Sequence, residues 1–183
     1  KQEAPTLHIK GFQFSYEKHG PLNVDIPDLT LPQGEIIGII GNNGAGKSTL
    51  LNTVAGTVRA TEGKIVIDGS DVTRKPDFKR AGDVSRVFQD PMKGTAGDMN
   101  IEENLALAMS RGKRRMLRWN VTSKEAQQFK EMLSELHLGL EDRLNCKVGL
   151  LSGGQRQAAS LLMATIAEPE LLLLDEHLSL IHI

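Results

Sequence analysis

The residues Gly41-Asn42-Asn43-Gly44-Ala45-Gly46-Lys47-Ser48-Thr49 follow the spacing G-x-x-x-x-G-K-[ST], which suits the holding of phosphate. The glycines let the backbone turn tightly and come close to an anion. The N–H groups of Asn43 to Lys47 can point inward at phosphate oxygens, and a helix start behind them adds a favourable dipole. In such a loop Lys47 reaches the β/γ-phosphates, Ser48 ligates Mg²⁺ and Thr49 touches the α-phosphate. A glycine-rich turn without a ligand is the alternative, and the flanks weigh against it. Glu35 to Ile40 (EIIGII) reads as a short buried strand entering the loop. Leu50, Leu51, Val54 and Ala55 form an apolar helical face leaving it, with Gly56 as a stop.

Four further groups have types and places that suit chemistry. Leu151-Ser152-Gly153-Gly154-Gln155 precedes a helix, so a hydroxyl, exposed N–H groups and a positive dipole end coincide; this reads as a second anion site or as a well-capped helix. Leu171 to Leu174 reads as a strand buried on both faces, ending in Asp175-Glu176. Acids at the end of a central parallel strand lie where such sheets bind ligands. There Asp175 can hold the water shell of Mg²⁺ and Glu176 can take a proton from an attacking water. Alone they would be two exposed loop acids. Gln89 closes a strand at Gln89-Asp90-Pro91, and Tyr16, the only tyrosine, lies 25 positions before Gly41. Its ring either stacks on a base or is an ordinary strand aromatic.

These groups need positioning elements. Leu7 to Tyr16 alternates loosely (Leu7, Ile9, then Phe12, Phe14, Tyr16) and reads as a strand; a second stretch, Leu22 to Leu31, is broken by Pro27. Gly63 to Ile67 is a strand closed by the Asp68-Gly69 turn, and Val84 to Phe88 is another, stopped at Pro91. Asn100 caps a helix from Ile101 to about Met109, with Glu102 and Glu103 in its first turn. Thr122 and Glu125 make a capping box for a helix whose face is Ala126, Phe129, Leu133 and Leu136, ended by Gly139. The basic run Arg111 to Trp119 is a contact for an acidic partner or lipid headgroups, or a solvated loop. With 183 residues the chain can build one domain with a real core. A net charge of −1 directs nothing globally to nucleic acid. The one cysteine, Cys146, excludes an internal disulfide framework and fits a reducing compartment. No apolar run reaches the length of a membrane helix.

Together, the loop at 41–49, Gln89, LSGGQ at 151–155 and LLLLDE at 171–176 resemble the ATP-binding cassette (ABC) ATPases, the motor domains of ABC transporters, over roughly residues 6 to 177. These are the family's Walker A, Q-loop, signature and Walker B motifs. The resemblance implies an α/β P-loop NTPase core with a mostly parallel sheet, an N-terminal antiparallel β subdomain and an inserted helical subdomain. It implies a nucleotide-binding domain over 1–177, with a core at about 6–90 and 166–177 and a helical part at about 91–165. It makes Tyr16 an adenine-stacking aromatic and residues 41–49 the ATP cradle. Lys47, Gln89 and Glu176 become catalytic, and Ser48, Gln89 and Asp175 hold magnesium. Leu151 to Gln155 then act on ATP held by a second cassette, most simply another copy. The remaining implied partners are permease subunits and a substrate-binding protein, at the cytoplasmic face of the plasma membrane, with no nucleic acid. VFQDPMKGTAGDMNIEENLALA, LGLEDRL and KVGLLSGGQRQA look like a bacterial subgroup of tryptophan/tyrosine-type amino-acid importers. In this family other subunits contact the transported molecule.

The alternatives are a soluble ABC ATPase acting on ribosomes or DNA, and a fragment that binds nucleotide without turnover. A DNA-repair type would carry a long coiled coil between the loop and LSGGQ, where about 100 residues without sustained heptads stand here. The family continues past Asp175-Glu176 with a segment like S-A-L-D, whose acid would fall at His182. Leu178 to Ile183 (LSLIHI) departs from it and is also the translation of a transposase adapter used in DNA library preparation. Residues 178–183 are therefore expected to be a non-native tail, and the chain as given to expose one side of its sheet, to be poorly stable and to hydrolyse ATP negligibly.

Overall fold

The computed structural model describes residues 5–17, 20–112 and 121–175. The catalytic candidate Glu176, His177, the tail 178–183 and most of the basic run lie outside the described residues. The chain divides into two compact units, Lys1–Val84 and Ser85–Ile183.

The first unit is built on an antiparallel sheet of order β2-β1-β3-β4, with β1 Leu7–Phe14, β2 Val24–Leu31, β3 Glu62–Ile67 and β4 Ser70–Asp71. Strand β1 is central and buries Leu7, Ile9, Phe12 and Phe14. The change of parity between Ile9 and Phe12 has a cause: Gly11 adopts φ 59°, and the register against β3 shifts between Lys10 and Gln13. This bulge lets both halves of the strand face one core. Opposite it, Gly63 (φ 97°) passes so close to Gly11 and Phe12 that a Cβ there would overlap their backbone. The turn from β3 to β4 is Asp68-Gly69, both with positive φ, the conformation a two-residue hairpin needs.

Two readings of this unit are corrected. Pro27 does not break its strand: β2 runs unbroken from Val24 to Leu31. It lies at the sheet's edge, where a residue without an N–H costs no ladder bond. Glu35 to Ile40 forms no strand, and Ile36 and Ile40 are 96% and 98% exposed. An apolar run becomes a buried strand only where neighbours pair its backbone, and no ladder reaches this one among the described residues.

The same unit contains α1 Lys47–Ala55, ended by Gly56 at φ 89°, and the short α2 Asp77–Arg80. Arg80 is only 2% exposed. Its guanidinium donates to the carbonyls of Thr53 (2.8 Å), Val54 (2.7 Å), Lys75 (2.8 Å) and Thr73 (3.3 Å). One buried cation thus joins the last turn of α1 to the segment leading into α2.

The second unit begins one residue into β5 Val84–Val87, which pairs with β6 Leu171–Leu174 in a parallel pair, and among the described residues it holds three α-helices: α3 Ile101–Met109, α4 Ser123–Ser134 and α5 Gly153–Thr165. All three helices start with a capping box, at Asn100/Glu103, Thr122/Glu125 and Ser152/Gln155. Their apolar faces meet in one core that includes Ile101, Leu105, Phe129, Leu133, Ala159 and Met163. Helix α4 stops at Ser134 rather than running on to Gly139, with His137 at φ 52° inside the turn that follows. Strand β6 is buried on one face only: Leu171 and Leu173 are buried, whereas Leu174 is 50% exposed. Its one ladder neighbour among the described residues is β5.

Replacing Arg80 by Met should cost about 3 kcal/mol, because four carbonyls lose a charged donor and the site stays dry. Urea denaturation of the two proteins measures it, and a difference under about 0.5 kcal/mol would contradict the clamp.

Candidate functional site

In the first unit, the loop 41–49 enters α1 through two glycines in the left-handed region, Gly44 and Gly46, both at φ 86°. Gly46 is the N-cap of α1 and supplies no side-chain cap, so the N–H groups of Lys47, Ser48 and Thr49 start the helix with no acceptor among the described residues. A side chain at Gly46 would be strained by its φ and would also overlap Val24 of β2, which fixes how closely the loop passes that strand. The Lys47 ammonium donates to the carbonyls of Gly41 and Asn42 (3.1 Å), so it folds back over its own loop. Ser48 is exposed and Thr49 is buried on the opposite side of the turn. Three backbone donors, a positive dipole end and an ammonium belong to one largely exposed loop, a set of groups whose chemistry suits an anion.

Tyr16 lies near this loop. It is 73% exposed, its ring meets Phe14 edge-on at 4.9 Å between centroids, and its hydroxyl lies 2.9 Å from Thr49 Oγ1. The backbone N–H of Tyr16 donates to Asn23 Oδ1. An exposed aromatic anchored to the first turn of α1 is placed to present its ring beside whatever the loop holds. The structure brings Tyr16, Lys47, Ser48 and Thr49 together in this unit.

In the second unit, Ser152 is the N-cap of α5. Its Oγ accepts from the Gln155 N–H at 3.3 Å, and Gln155 Oε1 accepts from the Ser152 N–H at 3.2 Å. Gln155 Nε2 also donates to the Leu138 carbonyl, and Arg143 donates to Gln155 Oε1. The side chains of Ser152 and Gln155 are therefore largely committed to the helix start, whereas Gly153 and Gly154 are exposed with open space where a Cβ would stand. Leu151 is buried in the helical core. Sequence reasoning missed Arg156, whose guanidinium donates to the carbonyls of Val148, Gly149 and Leu151 and holds the turn that enters this motif. It also missed the buried Asn104, which exchanges hydrogen bonds with both backbone groups of Ala96.

Gln89 is exposed just beyond β5, and Asp90 caps the short 3-10 turn Pro91–Gly94. Asp175, one residue past β6, is tied to β5 twice: its N–H donates to the Val87 carbonyl, and its Oδ2 accepts from Arg86 Nη2 at 2.7 Å. The Arg86 guanidinium lies over the Phe88 ring, 4.8 Å from the centroid. A charge inside the apolar run Val84-Ser85-Arg86-Val87-Phe88 was the available signal for this pair.

The sequence profile described as ABC transporter matches residues 24–179. A tyrosine transport ATP-binding protein of Clostridioides difficile (strain R20291) is 44% identical over 156 residues, covering 85% of this chain and 60% of that protein. An Fe(3+) ions import ATP-binding protein of Escherichia coli O157:H7 is 39% identical over 158 residues, covering 85% of this chain and 41% of that protein. The chain thus spans about 60% or less of these relatives' length. Among solved structures, a nucleotide-free ATP-binding cassette from an ABC transporter superposes with a TM-score of 0.72 at 25% identity, covering 93% of this chain and 68% of that one.

The two helix starts should respond differently to the loss of a hydroxyl. Ser152→Ala removes a cap and should cost about 1 kcal/mol, whereas Ser48→Ala should stay within about 0.5 kcal/mol of the parent. Equal losses in urea denaturation would contradict the assignment of Ser152 as cap and Ser48 as an open group.

Proposed function

The chain belongs to the ABC transporter family, and we propose that it is the ATP-binding and hydrolysing part of a bacterial importer, working as a dimer against permease subunits. The observation that carries this reading is the uncapped start of α1, where a loop turned by left-handed Gly44 and Gly46 leads into three N–H groups without a side-chain cap, with Lys47 among them. The relatives named for tyrosine transport and for Fe(3+) ions import support transport over the alternative of a soluble ATPase on ribosomes or DNA. The likeness to the tyrosine relative supports an amino-acid cargo, contacted by other subunits.

In this reading Lys47 and the N–H groups of the loop bind the β/γ-phosphates, and Tyr16 presents its ring to the adenine. The domain is taken as 1–177, with a core at about 6–90 and 166–177 and a helical part at about 91–165. Hard oxygen donors suit magnesium, and the Ser48 hydroxyl, the Gln89 amide oxygen and the Asp175 carboxylate are of that kind. Asp175 keeps one oxygen outside its bond to Arg86, enough to accept from a metal-bound water. Magnesium would neutralise charge that develops on the phosphates. Glu176 would take the proton of the attacking water, and Gln89 would sense magnesium and the γ-phosphate and couple them to the permease. Leu151 to Gln155 would act in trans: the exposed N–H groups of Gly153 and Gly154, at a positive dipole end, face the γ-phosphate held by a second subunit. Closure of the dimer then depends on a charge that hydrolysis removes. Among the described residues no helix is long and apolar enough to cross a membrane. Docking on permeases at the cytoplasmic face would supply the membrane association.

In the full-length protein, Lys47→Ala should weaken ATP binding at least tenfold, about 1.4 kcal/mol, with an unchanged melting temperature. Glu176→Gln should keep ATP affinity, abolish turnover and trap a dimer visible by light scattering. Unchanged ATP affinity in Lys47→Ala by calorimetry would sink the binding role, and near-parental hydrolysis in Glu176→Gln would assign the base elsewhere.

A further inference from the structure

Arg86 stands on β5 with its side chain 12% exposed, and its partner Asp175 is 22% exposed. Such a pair is a poor stabiliser, because removing two charges from water offsets most of their attraction. An apolar residue in the middle of β5 would serve packing as well. The geometry instead points to control of the carboxylate. The guanidinium is planar and lies over the Phe88 ring, so its fork has a set orientation. It donates through Nη2 to Oδ2 of Asp175 at 2.7 Å. The backbone of Asp175 is held as well, by its bond to Val87. With main chain and Oδ2 both fixed by β5, the direction of Oδ1 follows.

We propose that Arg86 is a positioning residue for Asp175, holding one carboxylate oxygen so that the other is set to accept from a magnesium-bound water. This rests on the reading of Asp175 given above. An Asp in direct contact with the metal would be weakened by a guanidinium on its carboxylate. An Asp that acts through a water needs one oriented oxygen and tolerates the cation. Partners that orient a metal's ligands change metal affinity 10- to 100-fold when lost.

The test uses the full-length protein loaded with ATP, with Mn²⁺ as a magnetic probe titrated by electron paramagnetic resonance. Arg86→Met should weaken Mn²⁺ binding about tenfold and raise the magnesium needed for half-maximal hydrolysis by a similar factor. ATP affinity in the presence of EDTA should not change. In an Asp175→Asn background the same substitution should have no further effect on Mn²⁺. Arg86→Lys keeps the charge but loses the planar fork, and should recover only part of the loss; it also carries the test if Arg86→Met fails to fold. Unchanged or tighter Mn²⁺ binding in Arg86→Met, or in Arg86→Lys where that variant stands in, overturns the proposal. So does an equal effect in the Asp175→Asn background. A parent protein that binds no ATP would overturn the nucleotide reading underneath, a failure distinguishable from insensitivity to Arg86 in a parent that binds ATP and Mn²⁺.

Discussion

A helix that begins without a cap leaves backbone donors in search of an acceptor, and in this chain that deficit is placed at α1. Most helix starts remove it with a Ser, Thr, Asp or Asn side chain. Helices α3, α4 and α5 do so, each with a reciprocal box. Helix α1 starts from Gly46, which has no side chain to offer, and its preceding loop is turned by left-handed glycines. The deficit is a local cost of the fold, and an anion offsets it. The crowding of Gly46 against Val24 then explains why the position cannot drift to a capping residue: any side chain would collide before it could cap.

The opposite end of α1 is treated in the opposite way. Its last carbonyls carry the negative end of the dipole, and Arg80 places a buried cation on two of them. Gly56 completes the stop, with its N–H returned to Asn52 and Thr53. The C-terminal end is thus saturated and tied to the segment before α2, while the N-terminal end is left open. A helix anchored at its far end can present unsatisfied donors at its near end without fraying.

Much of this was legible in the sequence because the signals are local. Spacing placed the glycine loop, caps placed α3 and α4, and Asp68-Gly69 placed a hairpin turn. The parity break between Ile9 and Phe12 was visible, although its cause, the bulge at Gly11, was not. What failed depends on neighbours in space. Pro27 looks like a breaker until β2 is known to be an edge. EIIGII and LLLL look alike on paper, yet the first forms no ladder among the described residues and the second buries one face. Arg80 carries no signal at all: a lone arginine in a polar stretch does not announce four carbonyls 5 to 27 residues away.

The two buried guanidinium groups of Arg80 and Arg86 show why partner chemistry, more than burial, separates scaffold from site. Arg80 donates to neutral carbonyls, so its effect is mechanical. Arg86 spends a donor on a carboxylate, and in doing so alters a group with chemistry of its own. A carboxylate that accepts from a guanidinium loses rotational freedom. That change matters only if something else uses the remaining oxygen. The placement of that carboxylate at the end of β6, beside the strand that leads to Gln89, is what gives the pair a consequence beyond the strand it stiffens.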